Sequence, residues 1–216
     1  MAAITRDTVL RVLDWAWERA AWGLPGQDSA EALAARHMDP SVPLETRLAA
    51  LIKRHKRQAA ATGFLSGVGG LALLPVSVPA SLAGTLFVQV RLVQAMALVC
   101  GHDLADARVR TLCGLCLCGS KATEAAAAAG AHVGGKLTGR LLARLGEETI
   151  RRVNEQVGFR LLARFGESGL LGASRLAPVI GGLAGAATGV AATAGIGKAA
   201  LALLAGVGDE ETRQAS

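Results

Sequence analysis

The chain has 216 residues, enough for one sizeable core or two small ones. Hydrophobic residues make up 51% of it and aromatics only 3%, with no Tyr, and the mean hydropathy is +0.39. That balance argues against a polytopic membrane protein and against large sheets, because the apolar content is mostly Ala, Leu, Val and Gly, which suit helices in close contact. The net charge of +6 suits an anionic membrane surface, nucleic acid or a plain soluble protein alike.

The N-terminal stretch MAAITRDTVLRVLDW carries charges every few residues and no apolar core, so no secretory signal and a cytoplasmic location are expected. Thr5 to Trp22 reads as an amphipathic helix, with Val9, Val12, Leu13, Ala16 and Ala20 at helical spacing, Thr5 as its cap and Gly23 and Pro25 as its stop. All three tryptophans, Trp15, Trp17 and Trp22, lie in it. Ser29 to Met38 reads as a short helix, and Pro43 suits the first turn of the next one.

That third helix carries the basic run Lys53-Arg54-His55-Lys56-Arg57 and then enters an uncharged tract, Gln58 to Val90. Pro75 and Pro79 interrupt the tract, since each lacks an N–H and clashes with the preceding turn. The chain is expected to turn there and return as a helix over about Ser81 to Cys100, although Leu86 to Leu92 also alternates well enough for a strand. Asp103 to Gly119 reads as helix with Asp103 as a candidate cap, Ser120 to Leu145 as a small-residue helix with five consecutive alanines, and Glu147 to Phe165 as a more polar helix. Leu176 to Gly197 is uncharged again. The expected architecture is all-α: a single helical domain over residues 1–208, built on a central Gly/Pro-interrupted apolar hairpin, with a polar tail at 209–216.

Two nucleotide-site patterns fail on their context. Gly130 to Lys136 has phosphate-loop spacing, but Leu137 stands where a Ser or Thr must hold magnesium, and an Ala-rich helix precedes it instead of a strand. Gly67-x-Gly69-x-x-Ala72 follows a basic helix, not the strand a dinucleotide fingerprint requires. Cys113, Cys116 and Cys118 are read as small buried thiols in a reducing compartment, because no second ligand pair accompanies them. No metal or cofactor is expected. No nucleic-acid partner is expected either, since stacking aromatics and a recognisable module are missing.

Lys53, Arg54, Lys56 and Arg57 abut the uncharged tract, which favours either a solvated helix face or contact with anionic lipid. Phe64, Leu65, Leu71 and Leu74, with Trp15 and Trp17, are the matching apolar candidates for membrane or lipid contact. The tract is a poor span. Ala59 to Leu74 supplies sixteen residues before Pro75, about 24 Å at helical rise, short of a hydrocarbon core of roughly 30 Å. The return helix has Arg91 near its middle, with Gln89 and Gln94 beside it. Gly181, Gly185 and Gly189 recur every four residues, and Thr193 and Gly197 continue the row, marking a helix face for close packing. Gln89, Arg91, His102, Asp103, Arg110 and Glu167 are the candidate buried polar groups.

Four groups of residues also carry a family resemblance. They are AWERA with GLPG (16–20 and 23–26), the stretch ATGFLSGVGGLALLPVSVPASLAGTLFVQVRLVQAMA (61–97), GHDL leading into VRTL (101–104 and 109–112), and VGFRLLARFGESGLLGASRLAPVIGG (157–182). In this order they resemble the EcsC family of bacterial proteins over about residues 10 to 200. The resemblance implies an all-α, membrane-associated protein linked to transport or secretion, with a membrane transporter as a further candidate partner, and it supplies no catalytic residues. The chain departs from the family pattern at His102, where a Tyr is expected, and in the uncharged stretch Leu183 to Gly197.

Residues and resemblance together predict a non-enzymatic, peripheral membrane or lipid-binding protein at the cytoplasmic face. Two alternatives stand beside it: an integral membrane protein with the tracts 58–90 and 176–197 inserted, and an enzyme using His102 and Asp103. No oligomeric state is implied.

Overall fold

The computed structural model describes residues 5–61, 80–130, 146–165 and 191–205, with the side chains of 57–61 and 80–82 excepted. Its elements are α1 (Arg6–Trp22), α2 (Ala30–Ala35), α3 (Leu44–Ala61), α4 (Ala80–Val99), α5 (Ala107–Leu117), a 3-10 turn (Gly119–Lys121), α6 (Ala122–Ala128), α7 (Glu147–Phe165) and a last helix, α8, over 191–205. Among the described residues there is no strand, and the all-α class read from the sequence holds.

The centre of the fold is α4. From Leu86 to Ala97 every residue on it is buried, including the polar Gln89, Arg91 and Gln94. A helix apolar on all sides must be enclosed on all sides, and α1, α2, α3 and α5 all pack against it. Burying Phe87, Leu92, Val93 and Met96 contributes about 1.5–3 kcal/mol each. α1 brings the stripe Val9, Val12, Ala16 and Ala20 to this core, and its start is fixed by Thr5, whose Oγ1 accepts from the Thr8 N–H at 3.2 Å. α7 presents Val153, Val157 and Leu161 at four-residue intervals, together with Gly158, whose missing side chain admits Leu10 of α1.

α4 ends in a Schellman motif. The His102 N–H bonds the Ala97 carbonyl, the Gly101 N–H bonds the Leu98 carbonyl, and Gly101 takes φ +82°, a left-handed conformation that suits a residue without Cβ. Between α1 and α2 the chain makes a four-residue turn, in which the Gln27 N–H bonds the Leu24 carbonyl at 2.7 Å. Pro25 at its second position and Gly26 with φ +75° at its third match the demands of a type II turn.

Three sequence expectations are corrected. α5 begins at Ala107 and is capped by Asp106, because the Asp103 carboxylate is already engaged by the Ala105 N–H at 2.8 Å in the preceding turn. The alanine-rich helix stops at Ala128, where the Gly130 N–H closes onto the Ala127 carbonyl and the chain turns with φ +77°. The last helix runs on through Gly197 to residue 205. Its face there is the packing face: Thr193, Ile196, Gly197 and Ala200 are buried, and a Cβ on Gly197 would lie 2.8 Å from Ile52 of α3. The arms flanking the expected hairpin, α3 and α4, pack against each other. Its Gly/Pro bend lies outside the described residues.

Candidate functional site

Two constellations stand out, one buried and one open. The buried one surrounds α4. Arg91 is only 3% exposed, yet no carboxylate among the described residues lies within ion-pair distance. Its Nη1 donates to Gln27 Oε1 at 2.8 Å and to the Asp28 carbonyl at 3.1 Å, and its guanidinium lies 5.4 Å from the centre of the Phe87 ring. Asp28 spends its carboxylate on Arg36 at 2.8 Å. Burial lowers the Arg91 pKa and the charge of Arg54 adds to that, while Asp28 opposes it.

The end of the turn after α1, Gln27 and Asp28, therefore serves as an acceptor pair for the one arginine of the central helix. Gln94 donates to the Trp17 carbonyl at 3.0 Å, a second polar tie between α4 and α1. His55, also fully buried, packs into the α3 side of this core, where the Leu51 and Val88 backbones lie beside its ring without well-formed hydrogen-bond geometry. Desolvation, with the charges of Arg91 and Arg54, pushes its pKa down to about 3, so it is held neutral.

The open constellation is an apolar cleft of about 360 Å³ between α1, α4, α5 and α7. Leu10 and Leu13 of α1, Val90 and Val93 of α4, and Leu117 of α5 form three of its walls. Ile150 and Val157 of α7 form the fourth. Its size and lining fall in the range of small-molecule sites, which are mostly apolar with a few placed polar groups.

Those polar groups are Asp14, Arg110 and Asn154. Arg110 Nη2 donates to Asp14 Oδ1 at 2.6 Å, and the same guanidinium lies 5.3 Å from the centre of the Trp17 ring. Cys113 lines the cleft as a neutral thiol, since complete burial pushes its pKa far up. Cys116 shares the effect, and among the described residues no cluster of His, Cys, Asp or Glu could hold a metal.

The candidates named from sequence separate as follows. Gln89 and Arg91 are buried as expected, whereas Asp103 and Arg110 are exposed. His102 is half-buried, with Nε2 at 3.0 Å from the Leu204 carbonyl, so it ties α4's end to α8. Arg91, His102 and Asp103 do not meet in the cleft, whose lining contains none of them. Trp15 tilts against Phe87, with ring centres 6.4 Å apart, and Trp17 sits under Arg110; both are half-buried, and Trp22 is the exposed tryptophan at 84%. Lys53 and Arg54 are exposed and Lys56 half-buried, but His55 between them points into the core, so the basic run is not one continuous face. Phe64, Leu65, Leu71, Leu74, Glu167, Gly181, Gly185 and Gly189 lie outside the described residues, as does the side chain of Arg57.

Sequence reasoning did not find Asp14, Leu10, Leu13 or Val157 as site residues. Asp14 and Arg110 are separated by 96 positions, and neither sits in a recognisable motif. His55 was legible: Leu48, Leu51, Ile52 and His55 share one helical stripe. No described helix is long and apolar enough to cross a membrane. No protein-family model, curated protein or solved structure matches the chain.

Proposed function

We propose that the chain is a non-enzymatic lipid-binding protein that works peripherally at the cytoplasmic face of a membrane. The observation that carries this reading is the apolar cleft between α1, α4, α5 and α7, whose charged and amide side chains, Asp14, Arg110 and Asn154, are all exposed to solvent. Apolar walls recognise an acyl chain, and these exposed groups keep a headgroup in water. Lys53 and Arg54 are free to meet anionic headgroups, each contributing about 1 kcal/mol near such a surface. Trp22, with its ring exposed, is the tryptophan available to the interface. The sequence resemblance to the EcsC family agrees with membrane association and leaves a transporter as a candidate neighbour.

The test is detergent-free purification followed by lipid extraction and mass spectrometry, paired with co-sedimentation on vesicles of mixed neutral and anionic phospholipid across a salt series. Co-purifying lipid and vesicle binding that weakens with salt are expected. A preparation free of lipid that also fails to pellet with anionic vesicles at low salt overturns the reading.

A further inference from the structure

We infer that the cleft takes a single-chain amphiphile with a carboxylate head, and that Asp14 is the internal carboxylate that occupies the head's position on Arg110. This rests on the reading of the cleft as a lipid site and names the class of lipid. The tail would lie along Leu10 and Leu13 of α1 and Ile150 of α7, the half-buried apolar side chains of the cleft, over a floor formed by the fully buried Val93 and Val157.

Arg110 is built to receive an oxyanion. Its guanidinium is oriented on the Trp17 ring, 5.3 Å from the ring centre, which limits the freedom it must lose on binding. It carries five N–H donors in a planar fork, and Asp14 takes a single contact, from Nη2 to Oδ1. The fork therefore retains the donors needed to hold a carboxylate through two parallel bonds. The pair is also easily exchanged: its side chains are 47% and 64% exposed, and an ion pair so exposed contributes little to stability. Displacing Asp14 returns its carboxylate to water, while the incoming head gains the guanidinium and its tail gains the apolar walls. A neutral head of the same tail length gains only the walls. Charge complementarity at Arg110 is what selects the acid.

The experiment is calorimetric titration of the full chain with decanoate and, separately, with decanol, both kept below micelle or droplet formation. Tryptophan emission is followed in parallel, because Trp17 borders the site. The unaltered chain is expected to bind decanoate about two- to fivefold more tightly than decanol. Asp14→Asn should tighten decanoate by roughly two- to fivefold and leave decanol unchanged, because the internal competitor is gone. Arg110→Gln should reduce decanoate to the level of decanol. Leu13→Trp, at a half-buried wall position, should abolish both, with thermal unfolding as the check that it remains folded. Equal affinity for acid and alcohol overturns the inference, as does a failure of Asp14→Asn to tighten the acid. Asp14→Asn alters an exposed side chain, so its result stands even if Leu13→Trp does not fold. Vesicle binding without decanoate binding removes this inference and leaves the peripheral-membrane reading. Decanoate binding without vesicle binding does the reverse.

Discussion

Arg91 Nη1 donates to Gln27 Oε1 at 2.8 Å, joining the middle of the central helix to the turn after α1 across 64 positions of sequence. The bond matters because Arg91 has no counter-ion among the described residues and is 3% exposed. A buried cation whose acceptor is removed bears the desolvation penalty unrelieved. Gln27→Ala should therefore cost about 1–3 kcal/mol, read as a lower urea midpoint at constant slope. Gln27→Glu should retain or raise stability, because a carboxylate replaces a neutral acceptor in the same place. A Gln27→Ala variant as stable as the parent would mean that water already satisfies Arg91.

The four thiols should be silent in the folded protein. Burial pushes Cys100 up to about 12 and Cys118 up to about 11, and it raises the completely buried Cys113 and Cys116 well above the ordinary thiol range. The thiolate is the reactive species, so at pH 8 an alkylating reagent should label the native chain slowly and all four positions rapidly in urea. Fast native labelling of Cys113 would show that the cleft opens further than its walls indicate.

How much was legible in the sequence varies with the kind of signal. The bounds Glu147–Phe165 of α7 match the sequence reading because polar and apolar residues alternate there at a clear helical period. α4 is correct to one residue at each end, since Pro79 and Gly101 bracket it in the sequence. The alanine run was read too long because alanine favours helix everywhere and marks no end; Gly130 marks it. The basic run was read as a face because charge was counted before period, which hid His55. Trp17 and Arg110 were each named, for different reasons, but their meeting beside Asp14 depends on how α1 and α5 sit on α4. That is tertiary information, and no local spacing encodes it.

Glycine spacing did encode a contact, and two glycines should respond oppositely to the same change. A Cβ on Gly197 would sit 2.8 Å from Ile52 Cδ1 and Cγ1, so Gly197→Ala requires the Ile52 side chain or the two helices to shift. The expected cost is about 1–3 kcal/mol, partly recovered by Ile52→Val, with a coupling of at least about 0.5 kcal/mol in a double-mutant cycle. Gly114, in the middle of α5, faces Val157 at 3.6 and 3.7 Å, an ordinary contact distance. Gly114→Ala should therefore stabilise by about 0.5–1 kcal/mol through lower backbone entropy in the unfolded chain. Chemical denaturation of the four variants distinguishes a packing row from a mere compositional bias.

His55 makes the fold sensitive to mild acid. Its pKa is about 3 in the folded chain against 6.5 for an ordinary histidine, chiefly through desolvation, with Arg91 and Arg54 adding repulsion. Below pH 6.5 the unfolded chain binds a proton that the folded chain refuses, so stability falls as pH drops through this window. Glu148, Glu124 and Asp39, whose pKa values are all lowered, act in the same direction only near and below their ordinary range of 3.8 to 4.5. The interval from pH 6.5 to 4.5 therefore isolates the histidine term, and across it His55 should remove about 2–3 kcal/mol. His55→Leu is close in volume and gives up only the ring's poorly aligned approach to the Leu51 and Val88 backbones. It should keep the neutral-pH stability and flatten the dependence between pH 6.5 and 4.5. Denaturant midpoints measured at half-unit pH steps for both chains give the comparison. Parallel curves would show that His55 accepts its proton within the fold, and that the core around Arg91 admits a second positive charge.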